Sequence, residues 1–201
     1  MRRIVNRIDE VQRRALLALA RGAVDRELAG SSPPPIPALL AELTEARAAF
    51  VTVRDGENRL RGCRGEIPAR RSLPECVRAV AVSAALDDPR FPPVTAAELA
   101  DVWFEISVLS EARALEPEEI EVGRHGLLLR SEAGSGLLLP QAAAGAGWGR
   151  DEYLAGVCLK AGLEPGAWRR PDVELLAFEA EVWSERETAC GPRTGQRAPH
   201  G

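Results

Sequence analysis

Cys63 carries the sharpest chemistry in this chain. It sits in the run Leu60-Arg61-Gly62-Cys63-Arg64-Gly65. On an extended strand alternate side chains share a face, so Arg59, Arg61 and Cys63 would point the same way unless Gly62 bulges. A guanidinium beside a thiol favours the thiolate, which is a competent nucleophile at neutral pH. The flanking glycines would leave the thiol accessible and let backbone N–H groups reach an anionic intermediate. The same residue also fits a small buried cysteine packed in a sheet, because free cysteine is among the most buried residue types. Arg61 fits either a clamp on a carboxylate or phosphate, or one half of a structural ion pair with Glu105 as its candidate partner.

Glu105 stands in the middle of the apolar run 102–110, VWFEISVLS. A carboxylate there is either part of a site or half of a structural pair, since a buried acid is rarely left alone. His125, in Gly123-Arg124-His125-Gly126, is the only histidine apart from His200 near the C-terminus. It is the natural general base at neutral pH, and a Cys–His pair requires its turn to fold over Cys63. A surface turn histidine is the plainer reading. Asp88 and Arg90, held among the prolines of DPRFPPV (88–94), fit a pair across Pro89 in a rigid corner, or the lining of a cleft. Gln141 follows Pro140 at an expected strand end, where its amide would bind ligand or cap a turn. The catalytic candidates are therefore Cys63, Glu105 and His125, and the substrate-binding candidates are Arg61, Asp88, Arg90 and Gln141. The spacing of Cys and His gives no zinc signature. No P-loop, GxGxxG after a strand, or HExxH occurs, so neither metal nor cofactor is expected.

These residues need elements to hold them. The apolar positions Leu16, Leu17, Ala20, Val24 and Leu28 recur at helical spacing and predict a helix over 9–29. Gly30 ends it, and the proline-rich stretch 31–37 reads as an extended spacer. Residues 49–54 and 59–67 predict a hairpin across the turn Asp55-Gly56-Glu57-Asn58. Ser72 and Glu75 form a capping box that opens a helix to Leu86. A second box, Thr95 with Glu98, opens a short helix ending near Ala100. A central strand over 102–110 follows, then a strand pair over 120–130 interrupted by Gly123–Gly126, a turn at 131–135, and the strand 136–140. A helix over 151–161 and a single last strand over 173–183 complete a body spanning 38–185. Residues 186–201 read as a disordered tail. The class is α+β, a mixed and mainly antiparallel sheet flanked by helices, in one domain over 1–185.

Composition narrows the function classes. The chain has 201 residues, 45% hydrophobic and 28% charged, which excludes a wholly disordered chain or a coiled-coil rod. Lys160 is the only lysine, so nearly all the basic charge is arginine, the mark of a GC-rich genome. Residues 1–71 hold 14 arginines against 9 acids, within a chain of net charge −4. Arg54, Arg59, Arg61, Arg64, Arg70 and Arg71 surround the hairpin and suggest a small anionic ligand there. Nucleic acid is not expected, given the acidic whole and only 4% aromatic residues. The N-terminal run has no apolar core of a signal peptide, the longest uncharged stretch is broken by glycines, and no CxxC occurs. A cytoplasmic protein with reduced thiols and no membrane span is expected.

LRGCRG (60–65), DPRFPPV (88–94), FEISVLS (104–110), GLLLPQ (136–141) and KAGL (160–163) occur in order at spacings that resemble the AMMECR domain family, protein A of the AmmeMemoRadiSam system. The resemblance covers roughly residues 10–185. Arg64 departs from the family's pattern, which has an apolar residue there, and LPQA replaces the typical LPQV. The resemblance implies an α+β fold with a larger and a smaller lobe. It also implies a radical SAM protein and a Memo-like protein as partners, and it assigns no reaction. Two functions follow as expectations. One is a pathway component using Cys63 as a reactive thiol in an arginine-lined cleft. The other is a non-enzymatic scaffold or binding module that docks those partners.

Overall fold

The structure, a computed structural model, describes residues 8–189. The described chain divides into two compact units, residues 8–107 with 182–189, and Val108–Glu181.

The first unit opens with α1 (Glu10–Leu28), capped reciprocally by Asp9 and Gln12. Its buried side is Leu16, Leu17, Leu19, Ala20, Ala23 and Val24, the helical stripe that the spacing predicts, slightly widened. Gly30, at φ 63°, supplies the left-handed turn that ends it. The proline-rich segment does not float: Arg78 donates to the Pro34 carbonyl at 3.0 Å. The strands β1 (Ala49–Arg54) and β2 (Leu60–Glu66) form the expected hairpin. Then comes α2 (Leu73–Leu86), whose box is formed as Glu75 accepts from both the Ser72 amide and hydroxyl. β3 (Trp103–Leu109) and β8 (Ala180–Ser184) complete a four-stranded sheet in the order β2-β1-β3-β8. β3 is interior, as its two apolar faces require.

One side of this sheet is the core side. Ala49, Val51 and Val53 are wholly buried, as are Phe104 and Ile106. Burying each large aliphatic or aromatic side chain contributes about 1.5–3 kcal/mol, an upper bound. Gly62 lies on this side too, because a Cβ there would collide with the Ala84 carbonyl oxygen of α2. Strand alternation therefore places Thr52 and Cys63 on the opposite side. Arg21 of α1 ties the unit together. It donates to both carboxylate oxygens of Glu185 at 2.7 Å and to the carbonyls of Leu99 and Val102.

The second unit holds a sheet in the order β4-β7-β5-β6, with β4 (Arg113–Ala114), β5 (Gly126–Ser131), β6 (Gly134–Leu138) and β7 (Glu174–Phe178). Two helices accompany it, α3 (Pro140–Ala146) and α4 (Arg150–Lys160). Tyr153, Leu154, Val157 and Cys158 of α4 pack with Leu127, Leu129 and Ala177, and all are buried. Every strand pairing resolved by register is antiparallel.

Four sequence expectations change. Residues 120–125 are not a strand; a short 3-10 turn at Pro117–Glu119 and a loop precede β5. Gln141 does not end a strand but lies in the first turn of α3, which Pro140 opens because proline lacks only an N–H the helix leaves unused there. The run 173–183 is two strands, β7 and β8, in different sheets, split at Glu179 where Ser110 bonds both main-chain groups. Alternation continues across such a switch, so periodicity does not show it. Finally, α5 (Glu185–Ala189) stands where the tail was expected to begin, and residues 190–201 lie outside the described residues. Among the described residues no helix is long and apolar enough to cross a membrane.

Candidate functional site

Cys63 sits on β2 directly opposite Thr52 of β1. The Thr52 hydroxyl donates to the Cys63 sulfur at 3.4 Å. Thr52 is buried, and Cys63 is partly exposed. β2 is an edge strand, so the Cys63 peptide groups that face away from β1 need other partners. The DPRF segment supplies them. The Cys63 N–H donates to Asp88 Oδ2 at 2.9 Å, and the Cys63 carbonyl accepts from Arg90 Nη2 at 3.2 Å. Asp88 and Arg90 are themselves joined, Nη2 to Oδ2 at 2.6 Å and Nε to Oδ1 at 2.9 Å. The Arg90 amide adds a fourth bond to Oδ1, at 3.1 Å. The pair acts as a short substitute strand that clips the backbone of Cys63 in place.

The Asp88 side chain is only 3% exposed, while that of Arg90 is 53% exposed. The Arg90 guanidinium holds the Asp88 carboxyl well below the usual carboxylate range, with the Cys63 and Arg90 amides adding to the effect. Asp88 and Arg90 thus pair across Pro89 as the rigid corner of the two sequence readings, and that corner holds the backbone of Cys63.

Arg61 also differs from expectation. Its guanidinium pairs with Glu98, at 3.1 and 3.2 Å, and donates to the carbonyls of Pro92 and Pro93. Its ion-pair partner is Glu98, the residue that also caps the short 3-10 turn with Thr95, and not Glu105. Arg59 is likewise paired with Asp55 and Glu57, and Arg71 with Glu66. Much of the arginine-rich field around the hairpin is neutralised locally. Burial pushes the Cys63 thiol up from its ordinary value; the Thr52 hydroxyl and Arg90 ease this, while Asp88 and Glu105 add to it. At this cysteine burial outweighs the nearby arginine charge, so the thiol is raised and not lowered. Cys76 and Cys158 are buried, and burial pushes Cys76 up to about 11.

Glu105 lies on β3, the strand beside β1 in this sheet. Burial raises its carboxyl above the usual range; Arg54 opposes that and Glu187 reinforces it. No hydrogen bond to the Glu105 carboxylate forms among the described residues. Arg54 donates instead to the Asn58 carbonyl at 3.3 Å and stands over the Trp103 ring at 5.8 Å. Arg186 of α5 stands over the same ring at 5.0 Å.

His125 is placed in the second unit and is buried. Its Nδ1 accepts from the Glu121 amide at 3.1 Å. Its carbonyl accepts from the Tyr153 hydroxyl at 3.1 Å. These bonds are local to its own unit and give it a structural place, not the surface turn that the sequence suggests. Gln141 also belongs to the second unit. The first unit contains no histidine among its described residues. No three His, Cys, Asp or Glu side chains cluster as metal ligands among the described residues.

Sequence reasoning missed Thr52, Trp103 and Glu187 altogether, and saw Glu98 only as a helix cap. Only Thr52 had a usable signal, because the four-residue turn fixes which β1 residue faces Cys63.

An α+β domain in which a DPR segment clips the backbone of a hairpin cysteine is the class defined by this fold and site. The chain belongs to the AMMECR1 family, whose model matches residues 17–183. It is 40% identical over 181 residues to Protein MK0488 of Methanopyrus kandleri, across 86% of this chain and 87% of that protein. It is 42% identical over 161 residues to Protein TK0174 of Thermococcus kodakarensis, across 75% and 78%. The crystal structure of the uncharacterized protein PH0010 from Pyrococcus horikoshii matches with a TM-score of 0.79 at 38% identity, over 88% of this chain and 92% of that one.

Proposed function

We propose that this chain is a binding component of a modification pathway worked with a radical SAM protein and a Memo-like protein, and that it presents the face around Cys63 to them or to their substrate. The observation that carries this reading is the clip on Cys63. Both outward peptide groups of the residue are held by Asp88 and Arg90, while burial pushes its thiol up from the ordinary value. Such an arrangement makes a rigid recognition surface, not a nucleophile at rest. The test is reconstitution with both partners. A complex that survives Cys63→Ala with product formation intact supports a binding role. Loss of product with the complex intact overturns it in favour of catalysis by the thiol.

A second reading keeps Cys63 as a nucleophile. Glu105 is the observation in its favour: a carboxyl held above its usual range and acting on the thiol is a candidate proton acceptor. In that case Glu105→Gln abolishes product formation in the reconstituted system, while alkylation of Cys63 does not slow because the carboxylate charge itself raises the thiol; product formation that persists in Glu105→Gln removes this reading.

A further inference from the structure

We propose that the turn between β1 and β2 carries an anion site for a phosphoryl group, formed by Arg54 and Arg186 over the Trp103 ring. The site needs neither Cys63 nor the pathway reading.

Three side chains gather on the carbonyls of that turn. The Trp103 indole N–H donates to the Asp55 carbonyl at 3.0 Å, Arg186 Nη2 to the Gly56 carbonyl at 2.5 Å, and Arg54 Nη1 to the Asn58 carbonyl at 3.3 Å. They come from three elements of the first unit, β3, α5 and β1. The two guanidinium groups stand over the same indole ring, Arg54 at 5.8 Å and Arg186 at 5.0 Å from its centre. Ring and carbonyl together fix where each guanidinium points. Each spends a single N–H on the turn, and the fork of a guanidinium has others to offer a ligand.

No carboxylate answers this pair. Arg59, Arg61, Arg71 and Arg90 are all ion-paired. Arg54 and Arg186 form no ion pair among the described residues, and the acids of the turn and of α5 are engaged elsewhere. Asp55 and Glu57 hold Arg59, Glu185 holds Arg21, and Glu187 accepts from the Ser184 amide. Glu105 feels the Arg54 charge but forms no ion pair with it. Two like charges gathered on one ring repel, and an indole offsets only part of that. A phosphoryl group answers both, because its oxygens accept charge-assisted bonds in the fork geometry that arginine matches. Arg186 is exposed and Arg54 half-buried, so the anion enters from solvent.

The test uses the full chain, labelled for NMR of its arginine Nε–H, indole and backbone groups. It is titrated with sodium pyrophosphate, against sodium chloride at equal ionic strength. The expected result is a saturable shift of the Arg54 and Arg186 Nε–H groups, the Trp103 indole and the Gly56 amide with pyrophosphate alone. In Arg54→Gln and in Arg186→Gln the Kd rises fivefold or more. In Arg71→Gln, which removes the same charge from a guanidinium already paired with Glu66, it changes less than twofold. Arg186 is exposed, so its variant keeps a dispersed spectrum and reads the site should Arg54→Gln disturb the strand. An absent saturable shift or a Kd unchanged in Arg186→Gln overturns the proposal. So does an equal weakening in Arg71→Gln, which marks a diffuse field and not a site.

Discussion

Asp88→Ala is the most informative perturbation, because one side chain closes the β2 edge, anchors Arg90 and fixes Cys63. The substitution removes four hydrogen bonds, from the Cys63 amide, the Arg90 amide and two guanidinium nitrogens. The guanidinium, half exposed, recovers water at small cost. The two amides sit in part-buried bonds and recover less easily, and an N–H left without a partner there costs up to about 1–3 kcal/mol. The expected loss is about 2–4 kcal/mol in the first unit. At roughly 2–4 °C per kcal/mol for a chain of this size, the Tm falls by about 5–15 °C in a thermal melt. The variant also carries a pH signature. Asp88 titrates below its unfolded value of about 3.9, so its contribution is complete above that pH and fades as the pH falls further. Asp88→Ala should therefore lose stability at pH 7 and lose less than the parent on acidification below about pH 4. Arg90→Ala should cost less, with a coupling between the two of about 1 kcal/mol in a double-mutant cycle. A Tm within 2 °C of the parent would refute the clip as the holder of this edge.

Three further outcomes follow from the same geometry. Alkylation of Cys63 by iodoacetamide should keep accelerating past pH 9, since burial raises its thiol, and should outpace Cys76 and Cys158; a rate plateau below pH 8 contradicts this. Gly62→Ala should destabilise by about 1–3 kcal/mol in chemical denaturation, because its methyl meets the rigid Ala84 carbonyl of α2; an unchanged midpoint means that the strand and helix are not this close. Arg61→Ala should lower the Tm by a few degrees through loss of Glu98 and the Pro92 and Pro93 carbonyls, yet leave the pH profile of Cys63 alkylation unmoved; a shifted profile restores Arg61 as an electrostatic partner of the thiol.

How much was legible in advance differs by element. The hairpin, α2 and α4 were readable because each is specified locally: a turn sequence, a capping box, a stripe at one period. α3 was missed because an alanine- and glycine-rich run has no polar face to set a period. The break at Glu179 was missed because an extended chain alternates alike on either side of a change of partner. In the site, Cys63, Arg61, Asp88, Arg90 and Glu105 were all singled out from their motifs; the Asp88–Arg90 pair was legible from its two-residue spacing, but the partner of Arg61 was misassigned and the hold on Cys63 was not foreseen. Arg61 takes Glu98 across 37 residues, and Asp88 reaches Cys63 across 25.

The residues by themselves determined the family, the α+β class and the list of side chains able to do chemistry, because those depend on residue type, local spacing and ordered motifs. The tertiary structure alone decided what each charge is for. An arginine lowers a thiol's pKa or merely satisfies a glutamate according to which carboxylate lies within about 3 Å, and interactions between charges fall steeply with separation and screening. By that rule Asp88 and Arg90 became the clip on Cys63. Glu105, which the sequence paired with Arg61, stands on its strand without a hydrogen-bond donor among the described residues.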